Sequence, residues 1–353
     1  MAVYTAIDDP SAFFQTTLYT GNNTGGASNT ITNDGNSDLQ PDWVWIKSRS
    51  GAANHNCSDS SRGATKHLAQ NITYQEETVA GISAYNSDGF TVGSNNDANF
   101  NGATFVAWQW KANGGTTTAF SESGNNPGGT YQANTTAGIS IITYTGTGAA
   151  GTVTHGLGVA PKLIIIKNRD VADPWAVYYG DATDYLVLNT TAATVDNAAW
   201  WNDTAPSSTV FTVNTDHSVN ADGEDYIAYC FANVQSFSKV GTYVANANVD
   251  GPFIYCGFKP AWVLRKATTR SEPWMIIDNK RNPINVAASN LDASSSGAES
   301  TTADYDIDLV SNGFKVKSGN TSYGNHTVGN IYIYMAFAEN PFVTSTGIPT
   351  TAR

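Results

Sequence analysis

The sequence has few charges, few cysteines and no long apolar run, and each shortage removes a class of protein. Charged residues fill 14% of the 353 positions, against roughly 25% in an average soluble protein, so uncharged polar groups must keep the chain in solution. Lys and Arg number 18 against 30 Asp and Glu, a net charge of −12. No run of basic residues supplies the footprint that phosphates need, so a nucleic-acid partner is not expected. No stretch approaches the roughly 20 apolar residues of a membrane span, and membrane insertion is not expected either. The start, Met1 to Pro10, lacks the basic and apolar stretches of a signal peptide, which points to synthesis in a cytoplasm without export. Cys57, Cys230 and Cys256 show no paired spacing, which argues against a disulfide framework and a zinc site.

What the chain does contain is apolar and aromatic bulk. Hydrophobic residues make up 41%, with 9 Trp, 17 Tyr and 14 Phe, enough to exclude disorder and to predict a packed core. One pattern occurs three times. A Pro is followed six residues later by Lys across a β-rich stretch: Pro41 to Lys47, Pro161 to Lys167, Pro260 to Lys266. A Phe-x-Val follows, at Phe90, Phe211 and Phe314, and then an aromatic stretch around Ala107, Ala228 and Ala336. The Pro-to-Phe distances are 49, 50 and 54 residues and the Phe-to-Ala distances 17, 17 and 22. Such differences are loop-sized.

Every landmark is rich in β-branched and aromatic residues and bounded by Gly, Asn, Asp and Ser, the mark of a strand. No window keeps an apolar 3.6-residue period over three turns, so helices should be short or absent. The expected fold is all-β: three tandem β-sandwich units, each large enough to hold its own core. The expected boundaries are 1–112, 138–234 and 235–342. A Gly/Ser/Thr/Asn-rich linker or loop fills 113–137, and an extended tail runs over 343–353.

Candidate chemistry is thin. The five histidines, His55, His67, His155, His217 and His326, have no zinc spacing, and no cofactor motif is expected. Acids that could pair as in a glycosidase are Glu76 with Glu77, and Asp222 with Glu224 and Asp225. Asp304, Asp306 and Asp308 alternate as if on one face of a strand, where they could cradle Ca²⁺ or form a solvated edge. No acid recurs in all three copies, so no catalytic residue and no metal ligand is assigned. Asp59 with Arg62 and Asp278 with Arg281 are expected to fasten turns at strand ends, with Asp181 standing alone in the second copy. Trp200, Trp201, Asn202 and Asp203 form a candidate ligand-binding group, because aromatic plates beside amide and carboxylate groups suit sugars; packing between units is the competing reading.

Several motifs are more specific. Ile7-Asp8-Asp9-Pro10-Ser11 and Leu18-Tyr19-Thr20-Gly21 resemble the start of repeat-bearing structural proteins of marine bacteriophages that infect cyanobacteria and other abundant ocean bacteria. The stretch Asn33 to Lys47, Ser87-Asp88-Gly89-Phe90, Ala107 to Ala112 and Ala336 to Phe342 resemble the same group. The resemblance implies jelly-roll or lectin-like sandwich units in a tail fibre or other virion surface component. It implies other virion proteins and a host cell-surface glycan or receptor as partners, and a homotrimer as the assembly. The repeat begins near Met1 and no shaft of heptads follows, which leaves room for a fibre tip or a capsid decoration protein. A glycan-degrading sandwich is the enzymatic alternative to this non-enzymatic reading.

Overall fold

The computed structural model describes residues 4–319 and 323–350. Met1 to Val3, within the first expected unit, and the last three residues of the expected tail lie outside them. The fold is all-β, and its antiparallel main sheets share one four-stranded motif. In unit 1 it is built from β1 (Phe14–Thr20), β2 (Trp43–Ser48), β3 (Asn56–Asp59) and β4 (Thr104–Trp110), in the order β1-β4-β2-β3. In unit 2 the strands are β5 (Thr118–Phe120), β6 (Gly128–Asn134), β7 (Ile139–Thr145), β8 (Leu163–Asn168), β9 (Ala176–Tyr178), β10 (Asp184–Val187), β11 (Val195–Asp196) and β12 (Asp225–Phe231). Their order is β5-β6-β7-β12-β8-β9-β10-β11. Unit 3 places β13 (Ser238–Val244), β14 (Phe258–Ala267), β15 (Met275–Asp278), β16 (Leu291–Asp292) and β17 (Ile331–Pro341) in the order β13-β17-β14-β15-β16. The shared motif is therefore β1-β4-β2-β3, β7-β12-β8-β9 and β13-β17-β14-β15.

Each main sheet carries a smaller antiparallel sheet on its outer face: Asn29–Ile31 with Gly89–Val92 and Ile82–Asn86, Gly151–Thr154 with Val210–Val213, and Phe253–Tyr255 with Gly313–Val316 and Ile307–Val310. The period-2 alternation of strands sorts the side chains. Val44 and Ile46 of β2 point to the small sheet and pack with Phe90 and Val92. Trp43 and Trp45 point the other way, into a core that all three main sheets share. There Trp43 stacks on Tyr229 of unit 2 with ring centroids 4.3 Å apart, Trp110 meets Trp262 of unit 3 at 5.7 Å, and Phe231 meets Phe337 at 6.0 Å. The units were expected to hold separate cores; units 1 and 2 each bury a separate outer one, that of unit 3, with Ile254, Phe314 and Val316, is continuous with the shared core, and the inner faces close on one another. Burial on both faces explains why Leu163 to Ile166 is apolar without alternation.

Three expectations change. Residues 113–137 are more than a linker: β5 and β6 extend the second sheet along β7. Their Gly and Thr content reflects close strand contact, since a Cβ on Gly129 would lie 2.0 Å from the Thr143 carbonyl oxygen. The tail is not extended, because Val343 bridges Pro349 around Gly347 (φ 86°) and Ser345 N–H donates to Asp8 Oδ1. In the third copy, Trp262 pairs with Phe337 as Trp43 pairs with Trp110, so Tyr334 rather than Ala336 occupies the place of Ala107. Aromatic residues on both sides of Ala336 hid this two-residue offset.

Candidate functional site

The turn pairs are ion pairs with no exposed side chain: Arg62 Nε lies 2.6 Å from Asp59 Oδ2, and Arg281 Nε 2.6 Å from Asp278 Oδ2. Each turn also grips the neighbouring unit. Arg62 reaches Glu76 Oε2 at 3.0 Å, and Arg169 of unit 2 reaches the same oxygen at 2.9 Å. Tyr229 of unit 2 donates its hydroxyl to Asp59 at 2.8 Å. At the junction of units 3 and 1 the same parts recur. Arg281 binds Glu299 at 3.1 Å, Arg49 of unit 1 binds Glu299 at 3.0 Å, and Trp108 Nε1 donates to Asp278 at 3.0 Å. Burial pushes the Glu76 and Glu299 carboxyls up, but their arginines more than reverse it and hold both below the ordinary range. Glu76 is thus a clamp residue, while Glu77 beside it is exposed.

Register places Tyr179, not Asp181, at the position of Asp59 and Asp278. Among the described residues the junction of units 2 and 3 accordingly has no such ion pair; Thr194 N–H donates to the Thr268 carbonyl and Lys266 to the Thr191 carbonyl instead. Arg49 and Arg169 each stand two residues after a landmark Lys, a spacing that could have revealed them as partners. The landmark lysines themselves are buried. Lys47, Lys167 and Lys266 donate to the carbonyl of the next residue, and desolvation lowers each to about 8 against the pull of nearby acids.

The candidate sugar platform is not one. Trp200 and Trp201 sit in the short helix Ala198–Trp201 and are 3% and 1% exposed. Trp200 stacks on Tyr185 at 3.7 Å and Trp201 meets Tyr178 edge-on. Asn202 and Asp203 are exposed in left-handed backbone that ends the helix; the rings face the core because the helix must bury its apolar side. Nor do Asp304, Asp306 and Asp308 share a strand: Asp304 lies in the 3₁₀ turn Ala303–Tyr305, and Asp308, in the strand, pairs with Lys317 at 4.0 Å. Among the described residues no group of three or more His, Cys, Asp and Glu could hold a metal ion. Asp225 accepts from Thr145 and Glu224 from Asn168, so both serve local hydrogen bonds.

One cleft of about 600 Å³ opens at the junction of units 3 and 1. Phe14 and Thr16 of β1 form one wall, Asn279, Lys280 and Asn282 to Asn285 of unit 3 the other, and Ala338 to Asn340 the end. Its charges are paired internally, Lys259 with Glu339 and Lys280 with Asp34, each at 2.8 Å. The side-chain amides of Asn36, Asn279 and Asn340 make no hydrogen bond among the described residues. This surface suits an uncharged polar ligand. Residues 9–341 match the family described as Domain of unknown function (DUF7483). The chain belongs to that family. The DUF7483 match thus spans all three main sheets, the clamps and the cleft as one unit. No curated protein and no solved structure matches the chain.

Proposed function

We propose that this DUF7483 chain is a non-enzymatic bacteriophage virion protein, a tail-fibre or tail-tip component that contacts the host surface. The observation that carries the reading is that the paired polar constellations, Asp59–Arg62–Glu76–Arg169 and Asp278–Arg281–Glu299–Arg49, lock units together instead of lining an open site. Titratable groups used this way build a rigid body, and loops on a rigid scaffold are where binding surfaces form. The resemblance of the sequence to marine phage surface proteins supplies the particle. Asn- and Thr-rich loops and the cleft, whose charges are paired with one another, fit contact with a host glycan or receptor, and many copies on one particle offset weak single-site affinity. In this reading the chain is made in the host cytoplasm, joins other virion proteins as a homotrimer and is displayed on the virion surface.

Antibody labelling of intact virions tests the reading. Label on the tail supports it, while label on the head alone assigns the chain to capsid decoration. Release of reducing ends from host polysaccharide by the purified protein would overturn the non-enzymatic assignment.

A further inference from the structure

The three units are not completed alike. In unit 2 the edge strand β7 is covered by β6, and Gln132 of β6 is wholly buried opposite Ile141. Gln132 Nε2 donates to Ser60 at 2.8 Å and Ser61 at 2.7 Å, residues of the clamp turn of unit 1. A strand therefore fills the junction between β7 and that turn. In unit 1 the corresponding edge strand is β1: Thr16 pairs with Trp108 as Ile141 pairs with Tyr229. The corresponding turn is in unit 3, where Asn279 and Lys280 follow Asp278 as Ser60 and Ser61 follow Asp59. Between β1 and this turn lies the 600 Å³ cleft.

The main chain of β1 is ready for a partner there. Lys111 N–H donates to the Phe13 carbonyl and Gly21 N–H to the Ala103 carbonyl, which sets the antiparallel phase. Odd-numbered residues of β1 bond β4, so the N–H and C=O groups of Phe14, Thr16 and Leu18 face away from it. None of these groups has a hydrogen-bond partner among the described residues, and the buried Thr16 hydroxyl has none either. The corresponding residues of unit 2, Ile139, Ile141 and Thr143, face β6.

We propose that the open edge of β1, Phe14 to Leu18, is a strand-acceptor site that takes an extended, uncharged, Gly/Thr/Asn-rich segment of another polypeptide. It would fill at the junction of units 3 and 1 the place that β6 fills at the junction of units 1 and 2. The internal precedent, Gly128-Gly129-Thr130-Tyr131-Gln132-Ala133-Asn134, states the partner's chemistry. Main-chain hydrogen bonds supply affinity and alternate side chains supply specificity, as in other strand additions. The inference does not depend on the virion reading.

The test uses the whole protein and a capped peptide of the sequence GGTYQAN. Titration into isotope-labelled protein should shift the amides of Phe14, Thr16 and Leu18 and slow their hydrogen exchange. Antiparallel phase places the Gln N–H of the peptide toward the acceptor and the following Ala N–H away. N-methylation at Gln should weaken binding about tenfold, the worth of one such bond, and N-methylation at Ala should leave it within about twofold. Asn279→Trp, at a half-buried position of the cleft wall whose side chain makes no hydrogen bond among the described residues, should abolish the shifts and keep the wild-type melting temperature. Absence of saturable binding, equal effects of the two N-methylations, or shifts on β7 through displacement of β6 would each overturn the proposal.

Discussion

The indole Nε1 of Trp175 donates to the main-chain carbonyl of Ala69, 2.9 Å away in the preceding unit. The bond is one member of a ring. Trp274 of unit 3 donates to Val187 of unit 2 at 2.9 Å, and His55 of unit 1 donates through Nε2 to Asp292 of unit 3 at 3.1 Å. Register makes the three donors equivalent, and the three carbonyls equivalent as well. His55 can replace an indole because Trp45 Nε1 donates to its Nδ1 at 2.7 Å, which fixes the neutral tautomer with the proton on Nε2. Three units that each donate to the one before close a cycle.

Breaking one link should be felt as a carbonyl that loses its shortest hydrogen bond, since Val187 then keeps, among the described residues, only the Thr190 donors at 3.4 Å. Trp274→Phe keeps most of the ring and loses the N–H to Val187. It should cost about 1–3 kcal/mol, read as a lower urea midpoint with an unchanged slope.

The buried arginines should be more sensitive. Arg62→Ala takes the guanidinium from the buried Asp59, and Arg281→Ala takes it from Asp278, while Glu76 and Glu299 keep Arg169 and Arg49; each should cost about 3–5 kcal/mol. Because the inner faces share one core, tryptophan fluorescence and far-ultraviolet circular dichroism should report one coincident transition. Separate transitions would show that the units fold independently.

Acid should destabilise the fold through its buried imidazoles. Burial lowers His55 to about 3 and His67 to about 4 from 6.5. The unfolded chain takes up these protons near pH 6.5 and the folded chain only near 4 and 3. Their contribution is complete above pH 6.5 and is lost as the pH falls through 4 and 3. Glu76 and Glu299, held below their ordinary values, act in the same direction. The melting temperature should fall steadily from pH 7 to pH 4, and the His55 ring should stay neutral by NMR across that range.

Alkali should act the other way at first. Lys47, Lys167 and Lys266, lowered to about 8 from 10.5, keep their protons longer in the unfolded chain, so stability should rise from pH 8 towards 10. Tyr144 and Tyr229, raised by burial, reverse the slope once unfolded tyrosines ionise above 10. A melting curve flat between pH 8 and 10 would contradict the burial of these lysines.

Trp200→Ala should lower stability by about 3–5 kcal/mol through the cavity it leaves against Tyr185. Binding to host cells by the folded fraction should be unchanged. A loss of binding at full stability would restore the loop as a ligand site.

Much of this was legible as pattern. β-branched and aromatic runs such as Leu163 to Ile166 announce strands, and the Asp-x-x-Arg spacing announces a fastened turn, because both depend on neighbours in the chain. The unit 2 members of the Asp59–Arg62–Glu76 cluster were not legible: Arg169 and Tyr229 lie more than 100 positions from Arg62, and only closure of the sheets brings them to Glu76 and Asp59. Trp200 and Trp201 looked like surface plates because Asn and Asp follow them. A four-residue helix turned both rings inward.

The sequence by itself determined an all-β chain with a recurring strand plan, since period-2 side-chain direction and turn-forming residues act over a few positions. It also determined the low charge that leaves few groups for chemistry. Only the tertiary structure decided that the main sheets share an inner core, that the buried ion pairs join units, and that β1 keeps an open edge where β7 is covered. Those features depend on which faces meet, a choice made by burying Trp43, Trp110, Tyr229, Trp262 and Phe337 together away from water.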